Sequence, residues 1–222
     1  MFAMPETTIG LFPDVGGGYF LTRLQGALGT FLALTSHRLK IADGVWAGIV
    51  DAHVPSARMD ELQAALGAAD IGGPGADQQV AAIIAKFTAD PGLPTLPAMM
   101  KDIDRCFSAE SVPEIVARLK AHPGEWAQKQ LAALQKLSPL AMAITLEQLK
   151  RCANRSFEDS MTIEYRMSQA CMKPGHDFFE GVRALLIDKD QKPKWNPATI
   201  EGVTREMVDA HFLPVQNDLK FD

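Results

Sequence analysis

Across its 222 residues the chain carries 22 Lys and Arg against 27 Asp and Glu, a formal net charge of −5, which excludes attachment to nucleic acid by bulk positive charge. With 47% apolar and 22% charged residues it has the make-up of an ordinary globular chain, long enough for one large domain or two small ones, and disorder and collagen are excluded. No window approaches 18 uninterrupted apolar residues, so a membrane-spanning helix is not expected and the chain should stay in solution.

Met1-Phe2-Ala3-Met4 is apolar, uncapped and stopped by Pro5, which predicts the end of a buried strand whose pairing partners must lie elsewhere. Free N-termini rarely look like this, so the chain is expected to be the C-terminal part of something longer. Residues 9–14 form a turn-rich loop. Gly16-Gly17-Gly18 then opens a segment in which Phe20, Leu21, Leu24 and Leu28 recur at helical spacing. A short helix is predicted over 29–34, a loop over 35–40, a helix over 42–47, and a second short strand over 48–54 between Gly48 and Pro55. An amphipathic helix follows over 58–69. The predicted class for 1–69 is therefore α/β.

Residues 70–98 hold Gly72-Gly73-Pro74-Gly75, Pro91-Gly92, Pro94 and Pro97 around one helix at 78–87, and read as a Gly/Pro-rich linker region. From 99 to 222 the signals are helical. Ser111 with Glu114 has the capping-box spacing, Ser138-Pro139 places a cap and an N1 proline before 140–152, and Ser156 caps a run that stops at Pro174-Gly175. Asp177 starts a helix on which Val182, Leu185 and Leu186 share a face, and Thr204 caps a last short one.

Cys106, Cys152 and Cys171 are an odd number with no C-x-x-C spacing, which predicts a reducing compartment: the cytoplasm, or the mitochondrial matrix in a eukaryote. The five histidines lie too far apart in sequence for a helical pair of ligands, so no metal is expected. The triple glycine lacks both the G-x-G-x-x-G order and a following Lys-Ser or Lys-Thr, which favours close backbone packing over phosphate binding. Lys189, Lys192 and Lys194 beside Trp195 read as a solvated basic run, and Asp177 after His176 reads as a helix cap.

Glu6 and Asp14 are the candidates for chemistry. Glu6 sits just past the apolar strand end and Asp14 just before the glycines, so both fall on the rim where α/β sheets present ligands. Phe2, Met4, Ile9, Leu11, Phe12 and Val15 flank them, which should desolvate at least one carboxyl and raise its pKa toward the range of a general base.

The run from Met4 to Leu24, with Pro5-Glu6, Gly10, Pro13 and the glycines before Leu21-Thr22-Arg23-Leu24, resembles the active-site segment of the crotonase, or enoyl-CoA hydratase/isomerase, superfamily. Residues 41–54 resemble that superfamily's next helix and strand. Asp14 stands where typical hydratases have glycine. With Phe12 to Gly18, Tyr165 to Met172, His176-Asp177-Phe178, and Glu180 to Ala184, this is similar to the 3-hydroxyisobutyryl-CoA hydrolase branch.

The resemblance implies the C-terminal portion of a crotonase-like fold, with few strands and a mostly helical second half. It implies hydrolysis of a short 3-hydroxyacyl-CoA, 3-hydroxyisobutyryl-CoA above all, in valine catabolism. Glu6 would be the catalytic carboxylate, activating water or attacking the thioester carbonyl, and Asp14 would hydrogen-bond the substrate 3-hydroxyl or the water; both would touch substrate. CoA would be part of the substrate and no separate cofactor is expected; the expected partner is the acyl-CoA, with no nucleic acid and no membrane, and a homo-oligomer is possible. In the superfamily the oxyanion-hole N–H groups precede the Pro-Glu motif, so this chain by itself is expected to be nearly inactive and prone to associate. The alternatives are a hydratase or isomerase of the same superfamily, and a non-catalytic helical interaction module.

Overall fold

The computed structural model describes residues 1–221. In chain order the helices are α1 (Gly17–Leu21), α2 (Leu28–Thr35), α3 (Ile41–Trp46), α4 (Met59–Ala68), α5 (Ala76–Ala85) and α6 (Leu96–Phe107). They continue as α7 (Val112–Ala121), α8 (Glu125–Leu134), α9 (Pro139–Cys152), α10 (Phe157–Cys171), α11 (Asp177–Val182) and α12 (Arg205–Asp209). Tighter 3-10 turns occupy Glu6–Ile9, Ser56–Arg58 and Ile200–Gly202, and a π turn, Arg183–Ile187, continues α11.

Neither expected strand forms among the described residues. The only ladder contact is an antiparallel bridge in which Phe2 N–H donates to Leu39 O at 3.0 Å and Leu39 N–H to Phe2 O at 2.8 Å. A strand needs neighbours along its length, and beyond that single bridge these segments have none among the described residues. Ile49 and Val50 instead donate to Gly44 O at 3.0 and 3.1 Å, closing the end of α3, and the His53 carbonyl is taken by Ala89 N–H at 2.8 Å. The α/β expectation is thus met here in its helices alone.

The chain divides into two compact units. One comprises Met1–Phe2 with Leu39–Ala98, and in it Asp43 of α3 does the main polar work. Its buried carboxylate accepts from Thr95 N–H at 2.6 Å, Leu96 N–H at 2.8 Å and Thr95 Oγ1 at 2.9 Å, which caps the start of α6.

The other unit comprises Ala3–Arg38 with Met99 onward, and α9 is its centre. Ser138 Oγ accepts from Ala141 N–H at 2.9 Å and Pro139 follows at N1, as the sequence predicted. The helix buries most of its circumference, Leu140, Ala141, Met142, Ile144, Thr145 and Gln148 among others, and leaves only the stripe of Ala143, Glu147, Lys150 and Arg151 less than buried, because α1, α2, α7, α10 and α12 pack about it. Phe12, from the loop between Glu6 and the glycines, is fully buried in the same core with Ile144, Met167, Cys171 and Phe212.

The predicted caps at Ser111, Ser156 and Thr204 all accept from the N–H three residues on. Two local expectations are corrected. The Glu114 carboxylate reaches back to Glu110 N–H at 3.2 Å rather than to the cap residue. The π turn rotates the chain after Val182, so Ala184 is buried and Leu186 is 58% exposed instead of sharing the apolar face.

Because Phe12 ties the loop to the core, Phe12→Ala should lower stability by about 3–5 kcal/mol in urea denaturation, and a loss below about 1 kcal/mol would show that the loop is not part of the core.

Candidate active site

Glu6 opens the 3-10 turn that follows Pro5. Leu11 N–H donates to Glu6 O at 3.0 Å, and Gly10, with φ at +72°, reverses the chain. A Cβ at Gly10 would lie 2.6 Å from the backbone carbonyl of Asp177, so only glycine lets this turn rest on the start of α11. Asp177 is itself buried and fixed, accepting from Ser138 Oγ at 2.5 Å and from Asn196 N–H at 2.8 Å. The helix cap is His176, whose Nδ1 accepts from Phe178 N–H at 3.1 Å; Asp177 stands at the first helical position. The Glu6 turn is thereby braced through α11 on the residue that caps α9.

Glu6 Oε2 is buried with no hydrogen-bond partner. Burial drives the Glu6 pKa up to about 7, against the lowering pull of its own backbone N–H, and the charge of Asp14 pushes it further the same way. Asp14 is half-buried, and desolvation raises its pKa as well. The structure therefore brings Glu6 and Asp14 within electrostatic reach of each other. Of the flanking apolar residues, Met4 and Phe12 are buried, but Val15 is 79% exposed and contributes no desolvation.

Val15 matters for its backbone instead. At φ +51° a β-branched residue occupies the left-handed region between Asp14 and Gly16, a conformation that costs about 1–3 kcal/mol and persists only where surrounding contacts enforce it. Those contacts come from two residues the sequence reading passed over. Glu164 of α10, 2% exposed, accepts from Gly16 N–H through Oε2 and from Gly18 N–H through Oε1, each at 2.8 Å. Gln148 of α9 donates through Nε2 to Pro13 O at 2.7 Å and to Glu164 Oε1 at 3.1 Å. Burial raises the Glu164 pKa, the three donors oppose this, and Asp14 adds its own charge to the same group. The available sequence signal was an acid on a buried stripe, since Ser160, Glu164, Met167 and Cys171 recur at helical spacing.

The triple glycine is explained by packing. A Cβ at Gly18 would sit 2.8 Å from Cys152 Sγ and 3.1 Å from both Gln148 Nε2 and Glu164 Oε1. Of the basic run, Lys192 lines a cleft of about 680 Å³ with Trp195, Lys136 and Thr8, and Trp195 Nε1 donates to Lys136 O at 3.0 Å. The cleft wall from 183 to 192 is organised by the Arg183 guanidinium, which pairs with Glu180, Asp188 and Asp190.

Unrelated segments do converge at one point where the histidine spacing gave no hint of it. Cys171, His176 and His211 place their ligand atoms within 4.8 Å of one another. His211 Nδ1 donates to Met207 O at 2.8 Å. His176 Nδ1 is occupied by Phe178 N–H, so its hydrogen sits on Nε2 and is donated to His211 Nε2 at 2.9 Å. The rings satisfy each other as neutral groups, burial holds His176 down at about 4, and burial pushes the Cys171 thiol up to about 12.

A carboxyl that holds its proton more firmly in the folded chain stabilises the fold fully below its unfolded pKa, and loses that contribution as pH rises through the folded value. For Glu6 this window runs from about 4.5 to about 7. Carboxyl NMR should therefore show Glu6 titrating near 7, Asp14→Asn should move the midpoint down, and Glu6→Gln should flatten stability across that window. A wild-type midpoint near 4.5 would contradict the burial argument.

The family profile described as Enoyl-CoA hydratase/isomerase matches residues 1–212. The chain is 48% identical over 226 residues to the mitochondrial 3-hydroxyisobutyryl-CoA hydrolase of Gallus gallus and 46% identical over 227 residues to that of Homo sapiens, covering 99% and 100% of this chain. It spans 58% of the length of each of these relatives. Among solved structures, a carnitinyl-CoA dehydratase from Mycobacterium thermoresistibile superposes with a TM-score of 0.86 at 38% identity, over 99% of this chain and 61% of that one. An enoyl-CoA hydratase from Rhodobacter sphaeroides 2.4.1 gives 0.84 at 37%, with the same coverage. The glutamate turn, the glycine loop and the helices that brace them are thus those of a known fold, and the chain belongs to the enoyl-CoA hydratase/isomerase family.

Proposed function

We propose that the protein hydrolyses a short 3-hydroxyacyl-CoA thioester, 3-hydroxyisobutyryl-CoA in the first instance, to 3-hydroxyisobutyrate and CoA, a step of valine catabolism. The observation that carries this reading is the state of Glu6: a carboxyl titrating near neutrality, with one buried oxygen unpartnered, beside a second acid. A base with a pKa close to working pH is best suited to take a proton from water in a transition state. Glu6 accepts that proton, the water oxygen bonds to the thioester carbonyl carbon, and the C–S bond breaks as the CoA sulfur leaves and takes the proton back from Glu6 to become the thiol.

Asp14 gives the reading its specificity. Its carboxylate accepts a hydrogen bond from the substrate 3-hydroxyl, and a substrate lacking that hydroxyl leaves a half-buried acid unpaired. The named relatives with this acyl group support the assignment, and the coenzyme enters as part of the substrate alone. The mitochondrial location in the names of those relatives suits the matrix if the source is a eukaryote. No helix of the described residues is long and apolar enough to cross a membrane. Efficient turnover draws on oxyanion donors outside these 222 residues, as the family's arrangement implies, so the isolated chain is proposed to be slow.

Hydration of a 2-enoyl-CoA is the competing reading, favoured by the likeness to an enoyl-CoA hydratase and a carnitinyl-CoA dehydratase. In the natural full-length protein, thioester cleavage should exceed enoyl-CoA hydration. Glu6→Gln should lower kcat by about 10²–10⁴ with little change in CoA thioester affinity. Asp14→Gly should hurt 3-hydroxyisobutyryl-CoA more than isobutyryl-CoA. Hydration without cleavage would replace the hydrolase reading, and equal losses on both thioesters would remove Asp14 from substrate recognition.

A further inference from the structure

Two side chains from distant helices anchor the backbone before and after Asp14. On the N-terminal side, Pro13 O accepts from Gln148 Nε2 of α9 at 2.7 Å. On the C-terminal side, Gly16 and Gly18 donate to the two oxygens of Glu164 of α10 at 2.8 Å each. Gln148 joins the halves by also donating to Glu164 Oε1 at 3.1 Å, and because both its partners are acceptors the orientation of its amide is fixed. Both side chains are buried.

Such a buried acid would be expected to answer a cation, yet the Glu164 carboxylate accepts from two backbone N–H groups and an amide. Those N–H groups belong to the first turn of α1, whose own cap residue, Gly16, has no side chain to offer. The carboxylate thus replaces a local cap from 146 to 148 residues away in sequence. In doing so it fixes the spacing from Gly16 to Gly18 and holds Val15 in the left-handed conformation that its own side chain disfavours. The conformation of Val15 sets the direction in which the chain leaves Asp14. Among the described residues, the one hydrogen bond acting on the Asp14 carboxyl comes from its own backbone, so Asp14 has no such brace of its own there.

We propose that Glu164, seconded by Gln148, is the positioning residue that aims Asp14 at the substrate hydroxyl and so sets selectivity for 3-hydroxyacyl thioesters. Glu164 touches no reacting atom and acts through Gly16 and Gly18. This rests on the hydrolase reading above, and the experiment separates the two.

All measurements use the natural full-length protein. In Glu164→Gln, one carboxylate oxygen is replaced by an amide NH2 that donates and cannot accept, so one of the two glycine N–H groups loses its partner. Hydrogen exchange at Gly16 and Gly18 should accelerate by about tenfold or more while amides in the middle of α9 keep their protection. The ratio of kcat/KM for 3-hydroxyisobutyryl-CoA over isobutyryl-CoA should fall by about tenfold, toward the ratio of Asp14→Gly. Adding Glu164→Gln to Asp14→Gly should lower that ratio little further, because both changes break one device.

A helix brace with no part in recognition would slow both substrates alike, leave the ratio unchanged and add fully to Asp14→Gly; that result overturns the proposal, as do unchanged glycine amides. Should Glu164→Gln fail to fold, Gly18→Ala pushes on the same clamp from the loop side, where its Cβ would meet Glu164 Oε1 and Gln148 Nε2 at 3.1 Å, and the same fall in ratio is expected. If the wild-type protein cleaves neither thioester, the hydrolase reading fails and the catalytic meaning of the clamp fails with it, even where the exchange data show the clamp itself.

Discussion

The contact on which the rest depends is a carboxylate bound to two glycine amides. Glu164 closes the loop that carries Asp14 onto α10, and Gln148 closes it onto α9. Buried peptide groups need partners, and a glycine run at the start of a five-residue helix has few of its own. The donors are answered from helices late in the chain, and so the position of an early loop is decided by late sequence.

Two glutamates in this unit show how environment divides one residue type into two roles. Glu164 is almost wholly buried and accepts from three donors, so its oxygens are engaged. Glu6 is less buried, but one of its oxygens is out of water without a partner, which leaves it able to accept a proton near neutral pH. The first arrangement suits holding and the second suits chemistry. Asp14 lies within electrostatic reach of both and raises each, so a change of charge at Asp14 is felt at both glutamates.

The braces under the two site loops use different residues but end on the same helix. The Glu6 turn rests on α11 through Gly10 and the Asp177 backbone, and Asp177 is tied to Ser138 at the start of α9. The Asp14 loop rests on α9 and α10 through side chains. Both lead back to α9, where the cap serine Ser138 and the buried Gln148 each serve a loop as well as their own helix. Family membership fits this picture, since the match runs from the glutamate turn through the helices that brace it.

By itself the sequence determined the helices, their caps and the two candidate carboxylates. Ser138, Ser156 and Thr204 announced helix starts because capping is a matter of three neighbouring residues. The Met4 to Leu24 segment disclosed the family by the spacing of its glycines and prolines, although the reason Gly10 and Gly18 must be glycine lies in distant residues packed against them. The strands at 1–4 and 49–54 were legible as apolar runs but did not form, since a strand is completed by partners that its own residues cannot supply. Only the tertiary structure decided that Glu164 and Gln148 hold the Asp14 loop, that Val15 stands exposed in a strained turn, and that Glu6 keeps an unpaired oxygen. Each of these depends on which distant group arrives to fill or leave open a hydrogen bond, and that is a property of packing rather than of spacing along the chain.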